Sequence, residues 1–478
     1  MRFHIFSRMI LLCSICAFGQ SKTADTPNVV FILIDDMGWK DTSYMGSSFY
    51  RTPNIDKLAS ESRVFTRGYA GASNCAPSRA VLMSGMSAPR TGIYTVENSS
   101  RGDERTRQLI PTPNKRVLAN EVITMAEMFQ QAGYVTGHIG KWHLGESPLT
   151  QGFDLNVGGG YAGSPKTYFA PFDYLGIDAP EGTYLTEYLT EKAKEFISEN
   201  KNNKFFLYLP FYTVHTPIQP QLHRVDKYRN TKPNGLQNSI NYAGMVDAMD
   251  ENVGEILDLL KYLNLDKNTL IVFTSDNGGH LGHTWQKPLR GGKGTYYEGG
   301  IRIPLTIKWE GKIHPYRTDE PVSFLDFYPT FAELLSYSYS KQPMDGESLL
   351  PFLTKGKKMR DRELVYHFPI YLQRYNRGEL ESRDPLFRTR PGTVIIKNQW
   401  KLHRYYEDNS VELYNLKNDI AERLNLVQKE PEVLEELMQA MDDWIIRMNA
   451  PIPTKRNLKY DSRVEKVKID KYVKNIKK

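Results

Sequence analysis

Residues Asn28–Ile34, NVVFILI, form an almost unbroken apolar, β-branched run that stops at two adjacent carboxylates, Asp35 and Asp36. A run without polar alternation suits a strand covered on both faces, and a sheet packed between two layers provides that cover. Residues Thr269–Ser275 (TLIVFTS) repeat the design and end in Asp276-Asn277-Gly278-Gly279, and residues 204–215 (KFFLYLPFYTVH) make a third such run, closing on His215. Between them lie two segments of helical spacing. Residues 183–198 place Leu185, Tyr188, Leu189, Ala193, Phe196 and Ile197 on one stripe, and residues 239–263 do so with Met245, Met249, Val253, Ile256 and Leu260. Strands alternating with helices predict a largely parallel sheet between helical layers, with ligands beyond the carboxyl ends of its strands.

The chain has 478 residues, 40% of them hydrophobic. That length suits a large domain with a smaller one beside it. From about Val365 the texture changes: residues 393–396, 400–406 and 411–414 read as short antiparallel strands with a turn at Asp408-Asn409, followed by a helix over Pro431–Met448. The expected division is a signal segment at 1–19, a main domain at 25–364, a C-terminal subdomain at 365–450 and a basic tail at 451–478.

The signal is read from Arg2 and Arg8, the apolar residues 9–18, and small Ala17 and Gly19 placed for cleavage before Gln20. The mature chain is therefore expected to be exported, periplasmic or secreted. Lipid attachment would need a small residue before Cys13 or Cys16, but Leu12 and Ile15 stand there. No later apolar run has the length of a membrane span. The formal net charge is +7, yet residues 455–478 hold ten Lys or Arg against three acids, so the basic balance belongs to the tail. A solvated, partly disordered end is expected there, and no nucleic-acid partner.

Cys13 and Cys16 fall in the signal, which leaves Cys75 as the one thiol of the mature chain. A solitary cysteine in an exported protein is either a buried small hydrophobe or a reactive group. It lies in Ser73-Asn74-Cys75-Ala76-Pro77-Ser78-Arg79-Ala80-Val81-Leu82-Met83-Ser84-Gly85, where Pro77 suits the first turn of a helix and Arg79 follows one turn after Cys75. A helix N-terminus favours anions and lowers thiol pKa values. Two neighbouring carboxylates, Asp35 and Asp36, would repel and face opposite ways unless the chain turns and a cation gathers them. Lys141 and His143, in Gly140-Lys141-Trp142-His143-Leu144-Gly145, are two apart on a segment read as extended, so both can face one anion. His215 ends its buried run, and Lys293 sits in Arg290-Gly291-Gly292-Lys293-Gly294, upstream of Glu298-Gly299-Gly300-Ile301-Arg302.

The string C-x-P-S-R followed by x-x-L-x-S-G resembles the signature of type I sulfatases, in which the cysteine is oxidised to formylglycine. Thr is more frequent in the family where this chain has Ser84, which keeps the hydroxyl. The resemblance covers residues 27–430 and implies an α/β fold: an alkaline-phosphatase-like, mostly parallel sheet flanked by helices, with a small C-terminal α+β subdomain carrying a short antiparallel sheet. It also implies a formylglycine-generating maturation enzyme as partner, and one Ca²⁺ held by Asp35, Asp36, Asp276, Asn277 and the oxygen derived from Cys75, an all-oxygen set that suits calcium over magnesium.

The implied reaction is attack on sulfur by the hydrated aldehyde, leaving a covalent sulfate hemiester. Asp276 assists deprotonation; Arg79, Lys141, His215 and Lys293 neutralise the sulfuryl oxygens; His215 or Lys293 protonates the leaving group; and His143 acts as base in releasing sulfate. The expected substrate is a sulfated polysaccharide or oligosaccharide, an algal glycan such as ulvan or carrageenan or a glycosaminoglycan. Lys141, His215, Lys293, His280 and Arg290 are expected to contact it, and the Arg- and Tyr-rich residues 371–390 are candidate subsites. Two alternatives stay open: a phosphonate or phosphodiester hydrolase on the same fold, and a glycan-binding protein whose cysteine is never oxidised.

Overall fold

The computed structural model of the protein describes residues 26–338, 342–375 and 381–476. The expected signal segment, with its cleavage site, lies outside the described residues.

Nine strands form the central sheet: β1 (Asn28–Ile34), β2 (Arg63–Tyr69), β3 (Val135–Ile139), β4 (Leu155–Val157), β5 (Phe205–Pro210), β6 (Thr269–Ser275), β7 (Arg302–Lys308), β8 (Tyr316–Thr318) and β9 (Val322–Ser323). Their order is β4-β3-β5-β1-β6-β7-β2-β8, with β9 also on β2. Only β7 runs against its neighbours, so the sheet is mostly parallel. Along β1, Val29, Phe31 and Leu33 enter one buried cluster while Val30, Ile32 and Ile34 enter the other, on the opposite face. That double burial is why this strand is apolar at consecutive positions. The expected helices appear at Leu185–Glu199 and Ile240–Tyr262, both packed into the second cluster. The run at 204–215 is a strand only to Pro210; the remainder is loop.

A smaller antiparallel sheet has the order β10-β13-β14-β15, from β10 (Glu363–Phe368), β13 (Gly392–Lys397), β14 (Trp400–Tyr405) and β15 (Val411–Asn415). Between them β11 (Leu372–Gln373) and β12 (Phe387–Thr389) pair as a short ribbon. The helix Pro431–Met448 covers one face through Leu437, Met441, Trp444 and Ile445. No helix among the described residues is long and apolar enough to cross a membrane.

The tail departs from the expectation of a solvated, partly disordered end. Residues 455–457 pair with residues 108–110, Asn457 donates to the carbonyls of Glu104 and Arg107 at 2.7 Å, and a helix follows at Ser462–Ile476. Its acids decide the matter: Glu465 meets Arg390 at 2.7 Å, while Lys468 pairs with Asp103 and Tyr472 lies under Arg374. Net charge hid these specific pairs.

A fully buried ionic triad ties the two sheets together. Lys401 of β14 lies 2.9 Å from Glu298, just before β7, and 2.9 Å from Glu422. Burial opposes both carboxylates, but Lys401 and Arg302 hold Glu298 below its ordinary range, whereas burial raises Glu422 to about 7. A group whose folded pKa exceeds its unfolded value of 4.5 stabilises the fold fully below 4.5 and loses that contribution as pH rises through 7. Urea stability of the wild type relative to Glu422→Gln is therefore expected to fall by about 3 kcal/mol between pH 4 and pH 8. A pH-independent difference would contradict this reading of the triad.

Candidate active site

The register of the sheet assembles the site. Ile34 of β1 lies opposite Ser275 of β6, so Asp35-Asp36 and Asp276-Asn277 leave adjacent strands at the same carboxyl edge. Asp276 N–H donates to the Ile34 carbonyl at 3.0 Å, and Asp35 N–H donates to Thr213 O at 3.1 Å in the loop that carries His215. Asp36 takes φ +63°, a left-handed turn that Asp tolerates better than most residues, and this turn lets both carboxylates converge.

Cys75 opens the helix Cys75–Ser84, all ten residues of which are buried. Its Sγ lies 3.5 Å from Asp35 Oδ1 and 4.0 Å from Asp36 Oδ1. One potential ligand atom each from Asp35, Asp36, Cys75 and His215 lies within 4.8 Å of the others. Ser84 ends this helix with its hydroxyl donating to Ala80 O at 2.6 Å, a bond threonine would also make.

Cations surround the carboxylates. Lys141 Nζ is 2.7 Å from Asp35, Lys293 Nζ is 2.7 Å from Asp36, and Arg79 reaches Asp276 at 2.9 Å. His215 Nε2 stands 3.5 Å from Asp36. Asn277 Nδ2 donates to Asp36 at 2.8 Å, while its Oδ1 is buried without a partner among the described residues. Lys141 and His143 do reach one region, though the segment is not the regular extended one expected. It bends at Gly140 (φ +126°) and at His143 itself (φ +64°). A Cβ on Gly140 would come within 2.0 Å of Pro210 O, so only glycine lets Lys141 N–H bond that carbonyl at 2.7 Å. The His143 ring packs on Gly163, and its Nδ1 has no partner among the described residues.

These charges set the protonation pattern. Burial pushes Asp35 up to about 7 despite Lys141, with Asp276 and Asp36 adding repulsion. Burial opposes Asp36 and Asp276 too, but Lys293 holds the first, and Arg79 the second, below the ordinary carboxylate range. His215 falls to about 3 and His143 falls well below its usual value, through burial and the nearby cations, so both rings are neutral. Burial also pushes the Cys75 thiol up to about 12. Of the two readings left open for this thiol, burial favours the small buried group while it is unmodified: desolvation outweighs the favourable field of the helix N-terminus.

A divalent cation fits this donor set. Asp35 and Asp36, the orphaned Asn277 oxygen once its amide is oriented toward them, and an oxygen at position 75 would supply hard ligands, and the Asp35–Asp36 repulsion is what such an ion would relieve.

Of the expected substrate contacts, His280 lies beside the cluster, close enough to feel Asp36 and Lys293. Arg290 does not join it. Its guanidinium bonds Tyr414 Oη at 3.1 Å and Glu422 O at 3.0 Å and stacks on Tyr297, so its polar contacts anchor the C-terminal sheet. Arg101, whose loop pairs with Tyr371 and which feels the charge of Arg388, lies near this region with no sequence motif to mark it. Tyr375 and Arg388 fell inside the Arg- and Tyr-rich candidate segment, and they pack beside Lys293.

A buried cluster of carboxylates ringed by cations thus sits at the carboxyl edge of a mostly parallel sheet, where such sheets take their ligands. Residues 27–337 match the sulfatase family, and residues 292–450 match the family described as N-sulphoglucosamine sulphohydrolase, C-terminal. A sulfatase of Formosa agariphila is 32% identical over 92% of this chain and 93% of its own length. Human N-acetylgalactosamine-6-sulfatase is 30% identical over 73% of this chain and 70% of its own. The crystal structure of Ps i-CgsB superposes with a TM-score of 0.73 at 30% identity, covering 88% of this chain and 92% of that one; the same protein is known in complex with k-i-k-neocarrahexaose. The chain belongs to the sulfatase family and is a sulfuric ester hydrolase.

Proposed function

We propose that this enzyme is exported and hydrolyses sulfate esters of a sulfated polysaccharide or oligosaccharide, with Cys75 matured to formylglycine by a dedicated enzyme and one Ca²⁺ bound by Asp35, Asp36, Asp276, Asn277 and position 75. The observation that carries this reading is the thiol at the start of a buried helix, 3.5 Å from Asp35 and encircled by Arg79, Lys141, His215 and Lys293. Relatives named for sulfated sugars, N-acetylgalactosamine-6-sulfatase and the neocarrahexaose-bound Ps i-CgsB, support a glycan, algal or glycosaminoglycan.

Oxidised and hydrated, position 75 would supply a nucleophilic oxygen, and a calcium ion held by Asp35, Asp36, Asp276 and Asn277 would supply Lewis acidity. The chain's own residues do the rest. Lys141, Lys293 and Arg79, fixed by their carboxylate partners, present preorganised positive charge to the sulfuryl oxygens in a site that excludes most water. Neutral His143 can accept a proton, as a base must. For the acid, His215 and Lys293 both stand beside Asp36 at the rim of the cluster, and either would serve as donor to the departing sugar oxygen. Asp276, bound to Arg79, remains ionised and is placed to draw the nucleophile's proton.

Position-resolved sulfate release from a panel of defined sulfated oligosaccharides tests the reading. Release is expected to stop when the metal is removed by a calcium-selective chelator and to return with added Ca²⁺. Full activity in the chelated, metal-free enzyme would refute the calcium site, and faster turnover of matched phosphonate esters would favour the rival hydrolase.

A further inference from the structure

Two guanidinium groups stand beside the catalytic cluster without a salt-bridged acid among the described residues. Arg388 is only 8% exposed, yet it forms no salt bridge among the described residues. Its Nε donates to Gln373 O at 2.9 Å and its Nη1 to Lys293 O at 3.3 Å, leaving Nη2 without a hydrogen bond among the described residues. Arg101 is half-buried and makes no hydrogen bond or ion pair among the described residues. Its loop lies on the same ribbon, with Ser100 bridging Tyr371 and Gly102 packed against Phe387, the residue before Arg388; burial and the charge of Arg388 hold Arg101 below the ordinary arginine value. Glu97 opposes them weakly, because it is exposed and lies 3.9 Å from Arg116.

Two aromatic groups pack beside these charges. The Tyr375 ring lies 3.7 Å beneath the Arg388 guanidinium, and its hydroxyl donates to Lys293 O at 3.0 Å. His280 packs on the other side of Tyr375, 3.7 Å between centroids, and its Nδ1 accepts from Gly282 N–H at 3.0 Å. That bond places the proton of the neutral ring on Nε2, which has no hydrogen-bond partner among the described residues. The loop bearing Arg101 is braced by the C-terminal tail through Asn457. Two neighbouring guanidinium groups, one buried and one half-buried, with no carboxylate paired to them among the described residues, are costly by themselves, and a planar fork of donors matches sulfate or carboxylate oxygens.

We infer that Arg101 and Arg388, with His280 and Tyr375, form a second anion subsite next to Lys293, so that the substrate is a glycan carrying another acidic group close to the ester that is cleaved. This rests on the sulfate-ester reading above. The second anion is a neighbouring sulfate or a uronate carboxylate, which share the same recognition chemistry.

The full chain carrying Cys75→Ala, loaded with calcium, binds sugars without turnover and suits titration calorimetry. The probes are galactose 6-sulfate, galactose 4,6-disulfate and an unsaturated uronate disaccharide of 6-sulfated N-acetylgalactosamine. At least one two-anion sugar is expected to bind about 10-fold tighter than the monosulfate, the worth of one charged hydrogen-bonded pair. Adding Arg101→Gln should erase that preference, and Arg101→Lys should restore part of it. Tight binding of the disulfate alone assigns the second anion to sulfate, and of the disaccharide alone to carboxylate. Equal affinities, no binding of any probe, or a preference that survives Arg101→Gln overturns the subsite. The reaction itself is judged separately, by wild-type sulfate release and by the mass of the peptide containing position 75.

Discussion

Cys75→Ala is expected to lower sulfate-ester turnover by at least about four orders of magnitude while leaving the fold intact. Alanine cannot be converted to an aldehyde, so no oxygen nucleophile can form at position 75. The surrounding cations would still bind a sulfate ester, which makes loss of kcat without loss of affinity the diagnostic pattern. Structural damage should be slight. The thiol is small, its contacts with Asp35 and Asp36 are long at 3.5 and 4.0 Å, and its pKa shows that it is an uncharged group. The urea midpoint should move by less than about 1 kcal/mol equivalent. Cys75→Ser is a poorer control, because some maturation enzymes accept serine. An alanine variant that retains wild-type turnover would end the covalent scheme.

What the sequence disclosed and what it concealed follow from the range of the interactions. The double burial of β1 and β6 is written in consecutive apolar residues, and both strands end in the polar pairs that the register Ile34↔Ser275 brings side by side. Those features are local, so they were legible. Lys141, His143, His215 and Lys293 come from distant loops, and only the resemblance to a known family placed them together. Arg290 shows the opposite outcome. It lies three residues from Lys293, yet its guanidinium turns to Tyr414 and Glu422, partners more than a hundred positions away. The tail misled for a related reason: a net charge counts Lys468 and Arg463 but says nothing about Asp103 or Arg390, which meet the tail's charges across the fold. Which way the Cys75 thiol would titrate was hidden as well, since desolvation depends on neighbours that a linear string does not reveal.

Arg79→Met should cost about 3–5 kcal/mol of stability and abolish turnover as well, because the guanidinium belongs to the architecture and to the chemistry. It is fully buried, pairs with Asp276 at 2.9 Å, and donates to Lys141 O at 2.6 Å. Arg79 is the leading influence that keeps the buried Asp276 carboxylate ionised. Methionine fills much of the space but leaves that carboxylate and one carbonyl unpaired, and an unpaired buried charge is far more costly than an absent pair. Adding Asp276→Asn removes the stranded charge, so the double variant should recover a good part of the lost stability by urea denaturation. Because a depressed Asp276 stabilises the fold above its unfolded value of 3.8 and ceases to do so at lower pH, the gap between wild type and Arg79→Met should narrow in acid. Turnover should not return in the double variant, since neither the charge on the sulfuryl oxygens nor the Asp276 carboxylate is restored. If Arg79→Met unfolds at the wild-type urea concentration, or if the double variant is no more stable than the single one, the buried pair does not hold the cluster together as its geometry implies.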